Sequence, residues 1–173
     1  MGPCPSLLTY LSLDQALLQT GWCVASGSLW CGGTLRTDSR WPLPRRLAFL
    51  RDEVVQLVRR YNVQHVVYES VYVARRQVGW ETLLQVEAVL SLLFYDLQLP
   101  VLTLSAHPTH RLSWRHILNL GKTTKADVLH WAQAYCPVQN EHEADAFCLL
   151  WAALELSRRK EDRQSVETLG KKG

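Results

Sequence analysis

Four side chains that could ligate a metal stand where secondary structure would bring them together. Asp14 closes the apolar run Leu7 to Leu13, Glu69 closes Val63 to Tyr68, and His142 with Asp145 opens a late apolar helix. Strand ends in an α/β sheet converge on a crevice beside their carboxyl ends, and residues three apart on a helix share a face. Carboxylates crowded into one crevice repel one another, and a divalent cation is the simplest compensation. An oxygen-rich set with one imidazole suits Mg²⁺ or Mn²⁺. Two such ions about 4 Å apart can bracket a scissile phosphate, one activating water and the other stabilising the leaving oxygen. The imidazole could ligate an ion or help move a proton. Taken singly, each residue also has a plain structural use. Asp14 could begin a turn, Glu69 could be an exposed carboxylate, and His142 and Asp145 could start a helix or face water. Either Glu141 or Glu143 could join the site after a small helical rotation.

The elements that must position these residues follow from hydrophobic period. Leu7 to Leu13 reads as a buried strand, and Gly21 to Ser26 and Ser28 to Arg36 as two more around Gly27, with a bulge or twist expected at Gly32-Gly33. Pro42 and Pro44 introduce a helix carrying Leu47, Leu50, Val54, Leu57 and Val58, ended by Tyr61-Asn62. Val63 to Tyr68 is a short strand, Trp80 to Leu97 a long helix, and Val101 to Leu104 a strand. A polar connection leads to helices over Lys125 to Tyr135 and Glu141 to Leu156. A meander followed by alternating helices and strands implies an α/β fold with a mixed sheet flanked by helices. The expected organisation is one domain over residues 1–156 and a charged, flexible tail over 157–173.

The chain has 173 residues, nearly half of them apolar, and a formal net charge of +3. That charge is too small to name a polyanionic partner, but its distribution says more. From Leu97 to Ala126 there is no acidic residue, while Arg111, Arg115, Lys122 and Lys125 occur there with His107, His110 and His116. Such a run is either a solvated face or a surface for a phosphate backbone. Arg75 and Arg76 would extend that surface. The five cysteines show no C-x-x-C pair or zinc-like spacing, and their apolar settings suggest reduced thiols. With neither a signal pattern nor a span long enough to cross a bilayer, a cytoplasmic location and no membrane partner are expected.

The motifs resemble those of the RuvC family of Holliday-junction resolvases, in the ribonuclease-H-like superfamily. Ser-Leu-Asp14-Gln-Ala-Leu-Leu-Gln-Thr-Gly21-Trp is similar to the family's first-strand motif, and Val-Tyr-Glu69-Ser-Val-Tyr72 to its second. Lys125-Ala-Asp-Val-Leu-His resembles a lysine-led helix start, and His142-Glu-Ala-Asp145-Ala-Phe the closing motif. The likeness covers about residues 7–156 in order. It implies Mg²⁺-dependent cleavage of four-way DNA junctions at symmetric positions by a homodimer, with Mn²⁺ substituting. It gives catalytic roles to Asp14, Glu69, His142, Asp145 and Lys125, and base stacking to Tyr72. Two departures stand out. Gln15-Ala16 replaces a Pro-Gly-like turn, and a family lysine upstream of Lys125 is missing, with Arg115 the nearest basic residue.

Other readings fit less of the chain. Gly121-Lys122-Thr123 resembles the end of a P-loop, but His116 stands where that motif needs glycine. A non-catalytic DNA-binding scaffold would explain the basic stretch and not the four ligand positions. A broader fork and flap nuclease would keep the chemistry and change the substrate.

Overall fold

Alternation along the first strand sets the layering: Leu11 and Leu13 face one side of the sheet, and Tyr10 and Ser12 the other. The computed structural model describes residues 6–71, 79–105, 107, 110–121 and 123–170, with the backbone alone at 6, 7 and 161–170. Five strands, β1 (Ser6–Asp14), β2 (Gln19–Gly27), β3 (Leu29–Arg36), β4 (His65–Ser70) and β5 (Val101–Ser105), form one sheet in the order β3-β2-β1-β4-β5. The β1, β2 and β3 meander is antiparallel, while β4 runs parallel to both β1 and β5. This is the mixed α/β sheet expected from the order of elements.

Helices α1 (Leu43–Tyr61) and α2 (Trp80–Asp96) cover one face. There Leu50, Val54 and Leu57 of α1, with Val86, Leu90 and Phe94 of α2, bury Leu11, Leu13, Val24 and Val66. Proline at the start of α1 needs no helical N–H partner, and Asn62 ends the helix in the left-handed conformation at φ 51°. The short α3 (Trp114–Ile117), α4 (Lys125–Gln133) and α5 (Glu141–Gly170) cover the other face. Among the described residues, no helix is long and apolar enough to cross a membrane.

Four boundaries differ from the periodic expectation. β4 spans His65–Ser70, so Glu69 lies within the strand. Its start is held by Gln64, which donates its backbone N–H to the Thr9 carbonyl and accepts from the Thr9 N–H through its side chain. The helical α3 falls inside the connection read as polar and irregular. α5 continues past Leu156, where the apolar stripe ends, as Glu155 pairs with Arg158 and Arg159 one turn on. The β2–β3 register runs unbroken through Gly32 and Gly33, so the bulge expected there is absent. Those glycines make room for Trp22: a β-carbon on Gly33 would meet its indole ring at 2.9 Å. The register shift occurs between Ser6 and Thr9 of β1.

Candidate metal centre and active site

Parallel pairing of β1 with β4 brings the first two carboxylates together. Leu13 pairs with Tyr68, so Asp14 and Glu69 are the next residues on adjacent strands, both at the carboxyl end of the sheet. α5 approaches this end from the face opposite α1, and its start is fastened at three points. Ser12 donates its hydroxyl to the Ala146 carbonyl at 2.6 Å. Ala144 and Ala146 are fully buried, giving the close approach that their size permits. On β2, Gly21 lies so near the His142 carbonyl that a β-carbon would stand 1.9 Å from its oxygen.

A part-buried network centred on Glu143 holds the same helix end to β3. Asn140 caps α5 by accepting the Glu143 N–H at 3.1 Å. The Glu143 carboxylate accepts from the Gln139 N–H at 2.8 Å, the Asn140 amide at 2.9 Å and the Thr34 hydroxyl at 3.0 Å. With those donors engaged, Glu143 anchors the helix and takes no place among the convergent ligands. Glu141 faces Lys125 at 3.6 Å. The question of a fifth ligand is thereby answered differently for each glutamate: one is structural, the other pairs with the lysine.

In this frame His142 Nδ1 lies 2.8 Å from Asp14 Oδ2. That hydrogen bond, foremost, raises the imidazole pKa. Asp145, one turn along α5, has Lys125 Nζ at 4.0 Å. Trp114 Nε1 donates to Glu69 Oε1 at 2.9 Å. Burial pushes the Glu69 carboxyl up to about 7, with Asp14 adding to the shift while Trp114 and Arg115 oppose it. Burial likewise raises Asp145 to about 6, again with Asp14 adding and Lys125 and Arg115 opposing. Mutual repulsion between buried carboxylates is the condition a divalent cation relieves.

The donor chemistry therefore fits the expected cation: three carboxylates, one imidazole and two raised carboxyl pKa values. Among the described residues, however, no three such side chains are gathered closely enough to enclose one ion. The amide oxygen of Gln15, next to Asp14, is buried with no hydrogen-bond partner, a further oxygen donor in the region. Its amide nitrogen donates to the Glu69 carbonyl, joining the two strand ends. The turn after Asp14 closes without Pro-Gly: Thr20 bonds both the Ala16 carbonyl, at 2.6 Å, and the Ala16 N–H, at 3.3 Å.

The expected DNA-contacting residues divide. Arg115 stands by the centre, its guanidinium over the Trp114 ring at 4.4 Å and bonded to the Thr123 carbonyl at 3.0 Å, which ties α3 to the segment before Lys125. Arg111 is exposed. Tyr72, Arg75, Arg76 and Lys122 lie outside the described residues. Sequence reasoning missed Trp114, Thr34, Asn140 and the anchoring role of Glu143. The Asn140-x-x-Glu143 spacing is a capping-box pattern that could have signalled the last two. Trp114 had no such signal.

The sheet order and the site at its carboxyl end define a ribonuclease-H-like fold. Within that class the chain is similar to RuvC proteins. A crossover junction endodeoxyribonuclease RuvC of Gluconacetobacter diazotrophicus is 35% identical over 74 residues, an alignment spanning 40% of this chain and 44% of that relative. Its counterpart from Parvibaculum lavamentivorans is 28% identical over 153 residues, 84% of this chain and 85% of the relative. The structure of Thermus thermophilus RuvC in complex with Holliday junction substrate superposes with a TM-score of 0.72 at 13% identity, covering 88% of this chain and 96% of that one. No family model matches the chain.

Proposed function

We propose that this protein is a metal-dependent endonuclease that resolves four-way DNA junctions by paired, symmetric phosphodiester hydrolysis. The observation that carries the proposal is the meeting of Asp14, Glu69, His142 and Asp145 at one end of the sheet, with two carboxyl groups raised by burial and by Asp14. The relatives named as crossover junction endodeoxyribonucleases, and the like-folded RuvC bound to junction substrate, support four-way junctions as the substrate.

Asp14, Glu69, His142 and Asp145 would hold two Mg²⁺ ions, or Mn²⁺ in their place. Such ions supply activated water and charge stabilisation at the scissile phosphate. The chain's own groups prepare the site. Trp114 fixes one oxygen of Glu69, leaving the other for ligation. Asp14 orients the His142 ring through Nδ1, which leaves Nε2 to ligate or carry a proton. Lys125, half exposed beside Asp145, offers an ammonium to the phosphate of the cut strand. Arg111 and Arg115 extend that charge, and Tyr72, Arg75, Arg76 and Lys122 are proposed to complete the DNA contacts.

Paired cuts need two sites related by symmetry, so the active form is proposed to be a homodimer. A stripe of exposed apolar and small residues on α2, Leu84, Ala88, Leu92 and Tyr95, supports this. A cytoplasmic setting is proposed with it, where the free thiols of Cys23, Cys31, Cys136 and Cys148 would stay reduced.

The test is to incubate the protein with a labelled mobile four-way junction and Mg²⁺, beside Asp145→Asn and a linear duplex. Symmetric paired nicks by the unaltered chain alone, on the junction alone, are expected. Equal cutting of forks and flaps would replace junction resolution with a broader debranching activity. Binding with no cutting in either metal would leave a scaffold.

A further inference from the structure

Of the basic residues read from the sequence, Arg111, Arg115 and Lys125 lie on the β5, α3 and α4 side of the centre. A second basic cluster stands on the other side, in the segment that joins β3 to α1. Arg36, Arg40, Arg45 and Arg46 occur within eleven residues there, and Asp38 is the lone acid among them. Arg40 satisfies that acid, with Nη2 to Oδ2 at 2.6 Å. The other three guanidiniums have no carboxylate partner among the described contacts.

This segment is stitched to the loop that follows Asp14. The Thr37 N–H donates to the Leu18 carbonyl at 3.1 Å, and the Thr37 hydroxyl donates to the Leu17 carbonyl at 2.5 Å. Arg46 Nε in turn donates to the Thr37 hydroxyl at 3.0 Å, so its guanidinium is fixed relative to the loop. Arg45 is held differently, over Trp41 with its central carbon 4.3 Å from the ring centroid. Trp41 is itself braced edge-on by Phe49. A guanidinium laid on a ring keeps its N–H edge turned outward for an anion.

Distance then identifies the partner. Asp14 pairs with Gly21, and Arg36 pairs with Gln19, two residues nearer the active-site end of β2. Strand geometry puts Arg36 about 12 Å from Asp14 at the backbone. Successive nucleotides of one DNA strand rise about 3.4 Å each, so that span covers three or four of them. We infer that Arg36, Arg45 and Arg46 form a second phosphate-binding edge that holds the duplex arm on the β3 side of the cut. DNA at the centre is then flanked by positive charge on both sides, with Arg115 and Lys125 opposite. This rests on the nuclease reading above.

The same helix supplies the comparison. Arg59 and Arg60 are also exposed, but they occupy the last turn of α1, at the far end from the site. Junction affinity should be measured in EDTA across a salt series for the unaltered protein, Arg36→Ser/Arg45→Ser and Arg59→Ser/Arg60→Ser. Each neutralised phosphate contributes about 0.9 to the slope of log affinity against log salt. The first pair should lower that slope by about 2, so that its deficit shrinks roughly tenfold between about 50 and 200 mM salt. The second pair should leave both the slope and kcat at saturating junction in place. Equal slopes for the two pairs, or no change in either, overturns the second edge while leaving the nuclease reading intact. Failure of the unaltered protein to bind junction at any salt overturns both.

Discussion

The carbonyl of His142 rests against Gly21, with no space for even a methyl group between β2 and the start of α5. A β-carbon would lie 1.9 Å from the carbonyl oxygen and 2.3 Å from its carbon, and both belong to backbone, which has little room to yield. Gly21→Ala should therefore push α5 off the sheet, costing about 3 kcal/mol or more, with loss of cleavage. Gly27→Ala is the contrast. Its φ is +58° but its β-carbon meets nothing, so only the left-handed conformation is penalised, at roughly 1–2 kcal/mol. Urea unfolding of the two variants separates a steric wedge from backbone strain.

Glu143 anchors what Gly21 admits. Its carboxylate gathers three donors from Thr34, Gln139 and Asn140. Glu143→Ala leaves these donors short of an acceptor and should cost on the order of 2–3 kcal/mol. Thr34→Val removes one donor and should cost about 1 kcal/mol. Because Glu143 is buried and its carboxylate is engaged within the chain, kcat should fall in Glu143→Ala with junction affinity nearly constant. A matching loss of affinity would make it a DNA-binding residue after all.

The raised carboxyl groups make a prediction about pH. Glu69 at about 7 and Asp145 at about 6 bind protons more tightly folded than unfolded. Their contribution is therefore favourable below the unfolded values near 4 and is lost as pH rises toward 7. His142, raised by Asp14, adds stability below its ordinary pKa that disappears as pH passes its folded value, so it acts in the same direction. Each carboxyl shift corresponds to roughly 3 kcal/mol, and the two are not additive because Asp14 acts on both. In EDTA, Tm should fall from pH 5 to pH 8. Mg²⁺ should raise Tm more at pH 8 than at pH 5, because it competes with the proton. Asp14→Asn should make the metal-free profile shallower, leaving the part due to burial, while abolishing cleavage. A flat profile in the unaltered protein would contradict the electrostatic account.

How legible the fold was depended on how local the determinants are. The placing of Asp14 and Glu69 on adjacent strands, and the face shared by His142 and Asp145, follow from periods of two and of 3.6. The two-residue shift of β4 was hidden because its limits come from pairing with β1 and from Gln64, fifty-five residues from Thr9. α3 was hidden because four residues carry no period, and the polar role of its Trp114 depends on Glu69, forty-five residues earlier on β4. The basic edge at Arg36 was overlooked because Asp38 interrupts the run. Only the fold shows that Arg40 absorbs that charge.

Trp114 offers the sharpest test of how the centre is tuned. Its indole N–H is the hydrogen bond that favours the ionised form of Glu69, against burial and Asp14. Phenylalanine fills much of the same space, buried in the same cluster as Ile117 and Phe147, but has no donor. Trp114→Phe should thus raise the Glu69 pKa further, by about one unit if the bond to the carboxylate is worth the usual 1.5 kcal/mol or so. A metal must displace that proton. The low-pH limb of Mg²⁺-dependent cleavage should move up by a similar amount, while activity at pH 9 approaches that of the unaltered protein. The rate should recover with more Mg²⁺ at a given pH. A uniform loss of rate at every pH and Mg²⁺ concentration would instead mean that Trp114 matters for packing or for holding Arg115 on its ring, and not for the charge on Glu69.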